Sequence, residues 1–219
     1  MLEPARRFLP VVAVLGVCVL ILSGGCPGPR PPARPASPLA DPLPVTLFGA
    51  TAQANETVYV IDRSGSMLDT FDNVRAGLLQ SLDRLEASQQ FHLMFFGAGA
   101  PLAYPLDEPA HATDENKRQA AQFLNTIRPE GQTNPLPALN LAFDVLDKAD
   151  ARQAKVMFIL TDGVLPDNDK VLSLIKARNK GRAVRICTVL IGSRDVSARL
   201  LLERVAKENG GRFIAVKDD

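Results

Sequence analysis

At 219 residues, with 46% hydrophobic and 22% charged side chains and no Trp, the chain has the composition of one full-sized globular domain plus extensions and is too short for two comfortable domains. The formal net charge is +1, with four Arg against Glu3 and Asp41 in residues 1–44, so the remainder carries 21 basic and 22 acidic residues. A domain that close to neutral, with no basic run, has no electrostatic footprint for nucleic acid.

Residues 1–26, MLEPARRFLPVVAVLGVCVLILSGGC, join a short basic start (Arg6, Arg7) to an apolar run from Phe8 to Leu22. Such a run falls short of the roughly 20 residues a membrane-spanning helix needs, and it fits the basic and apolar regions of a secretory signal peptide. The closing LSGGC resembles a bacterial lipoprotein cleavage site in which Cys26 becomes lipidated, although Ser23 stands where that pattern has Leu. Counted on to Cys26, the segment is also long enough for an uncleaved anchor in a thin bilayer. Lipoprotein, anchored and secreted forms all remain open. All three put the rest of the chain outside the cytoplasm.

Residues 27–44 contain eight Pro in eighteen positions, a composition that cannot pack a core and reads as an extended, polyproline-type linker. At about 3.1 Å per residue it would hold the domain at 45–219 roughly 50 Å from a membrane.

Beyond the linker, strand and helix patterns alternate. TVYVI (57–61) reads as a buried strand, and NVRAGLLQSLDRLE places Val74, Leu78, Leu82 and Leu85 at helical spacing. FHLMFFG (91–97) is a second strand, and the Pro-limited PLAYPL (101–106) a short edge strand. Helices follow from Asp114 and from Pro135, then the strand KVMFILT (155–161) and a helix from Asp167 to Lys180 closed by Gly181. Strand 183–191, helix 197–209 and strand 212–216 complete the pattern. Cys187, the one cysteine outside the leader, falls in an apolar strand and reads as a buried thiol. Continuous apolar strands between amphipathic helices predict an α/β fold: a doubly wound, mostly parallel sheet covered on both faces.

In such sheets ligands bind beyond the carboxyl ends of the strands, where the strand order reverses. With the six strands in the common order 3-2-1-4-5-6, strand 57–61 lies beside strand 155–161, about 4.8 Å away. The first ends in DRSGSM and the second in TDG, which brings Asp62 and Asp162 to one edge with Ser64 and Ser66 between them. Thr133, in the loop GQTN, comes to the same end of the sheet. Two unpaired carboxylates at close range raise each other's pKa, and a divalent cation relieves this. Hydroxyl and carboxylate oxygens are the hard donors that suit Mg²⁺.

DRSGSM, the Thr of GQTN and the strand-terminal TDG together resemble the von Willebrand factor type A domain and its metal-ion-dependent adhesion site, over about residues 45–219. The resemblance implies a Rossmann-like fold holding one Mg²⁺ or Mn²⁺, with Ser64, Ser66 and Thr133 as hydroxyl ligands and Asp62 and Asp162 coordinating directly or through water. Mainly neutral hydroxyl ligands would leave the ion much of its charge and an open position, which an Asp or Glu carboxylate of a protein partner would fill. The metal is therefore expected to centre a protein-binding surface with no catalytic residues. Gln132 departs from the small residue found in many relatives.

Other readings compete at the same residues. DRSGS could be a metal-free helix cap within a purely structural module. An aspartyl phosphatase could use Asp62, but Ser64 stands where its second carboxylate belongs, and its Lys would have to be Lys155 or Lys170. A serine hydrolase would need G-x-S-x-G, which is missing, and His92 and His111 have no evident triad partner. DGVLPDNDK lacks the Gly and the final Glu of a calcium loop, so Asp167 is expected to cap a helix. Asp69 and Asp72 are expected to begin the first helix, Arg63 to point to solvent or a partner, and the sequon at Asn55 is discounted.

Overall fold

The computed structural model describes residues 40–217, apart from 107 and 164. The leader, with Cys26, and the linker as far as residue 39 lie outside the described residues. Among the described residues no helix is long and apolar enough to cross a membrane.

The elements run β1 (Leu43–Leu47), β2 (Ala50–Ala54), β3 (Glu56–Asp62), a 3-10 turn (Gly65–Asp69), α1 (Phe71–Asp83), β4 (Gln90–Phe96), β5 (Leu102–Tyr104) and β6 (Ala110–His111). They continue with α2 (Asp114–Thr126), α3 (Leu136–Lys148), β7 (Lys155–Thr161), α4 (Asn168–Arg178), β8 (Val184–Ile191), α5 (Val196–Glu208) and β9 (Gly210–Val216). The main sheet has the order β5-β4-β3-β7-β8-β9, with β6 also on β4. This is the expected order 3-2-1-4-5-6. Neighbours from β4 to β9 are parallel, while β5 and β6 run antiparallel to β4 at the edge. The doubly wound α/β architecture expected from the sequence is the one observed.

Alternation along β3 sorts its side chains to two cores, as the period of two in a strand requires. Tyr59 and Ile61 pack with α1, α2 and the β1–β2 hairpin, whereas Val58 and Val60 pack with α3 and α4. Every residue of β3 and of β7 is buried, which explains why neither strand shows polar alternation in the sequence.

Three local expectations are corrected. The β1–β2 hairpin was not foreseen, and β1 begins at Leu43 inside the segment read as linker. It turns on Phe48 and Gly49, both at positive φ, so the usual Asn-Gly signal is absent. The fourth helix stops at Arg178, before Gly181, because Asn179 leaves the helix and its side chain bonds both backbone groups of Val184 and the Asn209 side chain. Asp72 lies in the first turn of α1 as expected, but Asp69 closes the 3-10 turn ahead of it.

Candidate metal centre

β3 delivers Asp62 in register with Phe96 at the end of β4, and one residue beyond Ile61, which faces Leu160 of β7. Asp62 is 1% exposed. Its Oδ1 accepts from the Ser64 backbone N–H at 2.8 Å, and its Oδ2 accepts from the Thr161 hydroxyl at 2.6 Å. The first bond turns the chain sharply enough to bring the next two hydroxyls over the strand ends. Ser64 and Ser66 hydroxyls lie 3.1 Å apart, and Ser66 donates to Asp162 Oδ1 at 2.9 Å. Asp62, Ser64, Ser66 and Asp162 are therefore joined in one hydrogen-bonded chain, through the Ser64 backbone N–H at the Asp62 end and through the two serine hydroxyls at the Asp162 end. Burial pushes the Asp62 carboxyl above the usual range, the hydrogen bonds from Thr161 and Ser64 oppose this, and the Asp162 charge adds to the rise.

The loop that carries Thr133 is fastened from several sides, through residues that precede Thr133. The Gly65 N–H donates to the Gly131 carbonyl at 3.0 Å, and Gly131 takes φ +71°, where an added Cβ would meet Ala98 Cβ at 2.9 Å. Arg63 N–H donates to the Phe96 carbonyl and Glu130 N–H to the Arg63 carbonyl, each at 2.8 Å. The Arg63 guanidinium donates through Nη1 to Glu130 Oε1 at 2.9 Å and to the Arg128 carbonyl at 3.3 Å. Arg63 is thus buried and faces inward, not toward solvent or a partner. Its backbone and side chain tie together the serine turn, the end of β4 and the threonine loop. Thr133 itself is half-buried, two residues past Gly131, beside an exposed Gln132.

The other candidates have structural roles. Ser64 occupies the cap position of the 3-10 turn, but its side chain makes no cap bond. Asp167 caps α4 by accepting from the Lys170 N–H, and Lys170 pairs with it in turn. Lys155 sits at the opposite end of the sheet, with Nζ on the carbonyls of Leu146 and Ala149. His92 is wholly buried, with neither ring nitrogen partnered among the described residues, and Cys187 is buried. The Asn55 side chain is engaged with Ala40 and Ala154.

The donor set fits a hard divalent ion. It is all oxygen, it joins two carboxylates through two hydroxyls, and the one cation inside the motif, Arg63, is turned away to Glu130. Among the described residues no group of three or more His, Cys, Asp or Glu is placed to hold a metal, so neutral hydroxyls must supply part of any coordination here.

Comparison with known proteins converges on one family. Residues 57–164 match the von Willebrand factor type A domain family. Human inter-alpha-trypsin inhibitor heavy chain H4 is 31% identical over 182 residues, covering 78% of this chain but 19% of the relative. Human von Willebrand factor A domain-containing protein 3B is 29% identical over 172 residues, or 77% of this chain and 12% of the relative. The chain therefore spans less than a fifth of these relatives. Among solved structures, a von Willebrand factor type A protein from Catenulispora acidiphila superposes with a TM-score of 0.66 at 19% identity, covering 77% of this chain and 40% of that one. The manganese-loaded TRAP protein of Plasmodium vivax gives a TM-score of 0.60 at 18% identity, covering 75% of this chain and 68% of that one. At such identities the structures speak for the fold alone. By matched residues and by fold, the chain carries a von Willebrand factor type A domain.

Proposed function

We propose that this domain is a metal-dependent protein-binding module. Asp62, Ser64, Ser66, Thr133 and Asp162 would hold one Mg²⁺ or Mn²⁺, and the partner would contribute an Asp or Glu carboxylate. The observation that carries the reading is the hydrogen-bonded chain that leads from the buried Asp62 carboxylate, through the Ser64 backbone N–H and the Ser64 and Ser66 hydroxyls, to Asp162. A bound divalent ion would supply a Lewis-acidic position for an incoming carboxylate. The hydroxyl ligands are neutral, so they leave more of the ion's charge for that carboxylate than an all-carboxylate cage would. The protein's own contribution is to hold the turn rigid and keep both Asp62 oxygens engaged. Manganese in the TRAP relative is consistent with this choice of ion.

The leader supports display outside the cytoplasm, tethered through lipidated Cys26 or an uncleaved anchor, with secretion as the remaining alternative. Labelled fatty acid should enter the wild-type chain and not Cys26→Ser; labelling of neither would remove the lipoprotein form. The phosphatase alternative loses support because neither Lys155, bonded to the Leu146 and Ala149 carbonyls, nor Lys170, paired with Asp167, is directed to the Asp62 site. The test of the binding reading uses the immobilised full chain and peptides bearing a single Glu or Gln. Binding of the Glu peptide in Mg²⁺, lost in EDTA and absent for Gln, is expected. Equal binding in EDTA would overturn the metal-dependent reading.

A further inference from the structure

At the opposite end of the sheet from Asp62, β3 begins with a second buried carboxylate. Glu56 is 1% exposed and pairs in register with Gln90 of β4 and Lys155 of β7. No hydrogen bond reaches its Oε1 among the described residues. The Lys155 ammonium, on the residue in register with Glu56 across the sheet, is committed to the carbonyls of Leu146 and of Ala149, which caps α3. Glu56 forms part of the wall of a cavity of about 240 Å³. Val145 and Pro109 give that cavity apolar surface, while Glu108, Asp150 and Lys148 provide charge.

A buried carboxylate is an acceptor only, and leaving it without a donor costs free energy. Unlike the Asp62 site, this cavity has no Ser or Thr hydroxyl in its lining, and among the described residues no three or more His, Cys, Asp or Glu are placed to hold a metal, so a divalent ion is not the natural occupant. What fits is a single donor-rich cation on a short apolar stem. We propose that the Glu56 cavity binds a primary alkylammonium group, with the ammonium on the Glu56 carboxylate and the stem against Val145 and Pro109. The volume admits a chain of about four methylenes, so the group could come from a free small amine or from a lysine side chain of another protein. Glu108 and Asp150 add negative charge to the cavity, Lys148 opposes it, and Asp150 is partly neutralised by Arg152.

Burial holds the Glu56 pKa up at about 7, with Lys155 pulling it down. Ammonium binding favours the ionised carboxylate, so it should release a proton and tighten as pH rises from 6 to 8, while n-butylammonium itself stays charged. The groups facing Glu56 over this range are Lys155 of β7, Lys148 of α3, and Glu108 and Asp150 from the adjoining loops.

The test is titration of the full chain with n-butylammonium and, separately, with Nα-acetyl-L-lysine amide, followed by amide NMR. Saturable shifts at residues 56, 90 and 145–149 are expected, with a midpoint of about millimolar for ligands of this size. Glu56→Gln should weaken binding at least tenfold. Val145→Phe, which fills the cavity and leaves Glu56 intact, should abolish it. Saturation by the lysine amide alone would assign the site to a protein lysine, and saturation by butylammonium to a free amine; either supports the proposal. No saturable shift with either probe, unchanged binding in Glu56→Gln, or the same shifts produced by MgCl₂ would overturn it. Because Glu56 and Asp62 lie at opposite ends of β3, this outcome is independent of the metal reading.

Discussion

Arg63 shows how far a residue's role can depend on a partner distant in sequence. Read locally it is a cation between two oxygen donors; in the fold it is 6% exposed and held by Glu130, 67 positions away. Nothing within its own motif announces that partner, so its inward orientation was not legible, whereas Asp62, Ser64, Ser66 and Asp162 were legible because short oxygen donors recur at two strand ends. Arg63→Ala should cost about 1–3 kcal/mol, the range for losing charge-assisted hydrogen bonds from a buried site. It should also speed hydrogen exchange at the Gly65 amide, which bonds the Gly131 carbonyl; unchanged exchange there would show that the backbone bonds hold the loop unaided. Asp62 has the opposite character. Its buried charge is unfavourable in the absence of a cation, so Asp62→Asn should keep or raise the metal-free melting temperature while removing any ion-dependent increase. A large loss of metal-free stability would instead make the Asp62 turn its main role.

At the scale of elements, the strands and helices were readable wherever burial is continuous or periodic. β7 matches its expected residues, and α2 starts at the Asp114 anticipated for it, behind a Thr113 cap that accepts from the Asn116 N–H. The hairpin β1–β2 was hidden because its inward residues, Val45, Leu47, Ala50, Ala52 and Ala54, are mostly small, and because it abuts a proline-rich run. The last strand has its own constraint. At Gly211 an added Cβ would lie 1.8 Å from the Ile186 carbonyl oxygen, beside the register shift between β8 and β9. Backbone cannot step aside as a side chain can. Gly211→Ala should therefore destabilise at the upper end of the roughly 1–3 kcal/mol typical of overpacking, or beyond it. At Gly77 the atoms nearest an added Cβ belong to the Phe48 ring, so Gly77→Ala should cost less, because that ring can swing. Urea unfolding of the two variants compares them, and equal losses would contradict this ranking.

For the whole molecule, two buried groups set opposing pH dependences. Burial draws the His92 pKa down to about 4, so unfolding takes up a proton between that value and the ordinary 6.5, and stability falls as pH drops through this window. Burial raises Glu56 from 4.5 to about 7, so there the folded state holds the extra proton, and its contribution grows as pH drops. The two nearly offset between about pH 4.5 and 6.5. Glu56→Gln should expose the His92 slope, losing up to about 3 kcal/mol from pH 6.5 to 4, whereas His92→Leu should leave a chain that gains stability as pH falls from 7 to 4.5. Urea unfolding across this range checks both, and parallel profiles for wild type and variants would refute the assignment. The sequence does not mark Glu56 as titrating in this range or His92 as held neutral through it, since both lie at strand positions whose burial only the packed sheet creates. The central claim concerns the other end of that sheet. Calorimetric titration of Mg²⁺ and Mn²⁺ into the full chain, alongside Asp62→Ala, tests it most directly. One ion bound per chain, with binding lost in the variant, is the predicted result; no binding by the wild type, or equal binding by both, would contradict a metal centre built on Asp62.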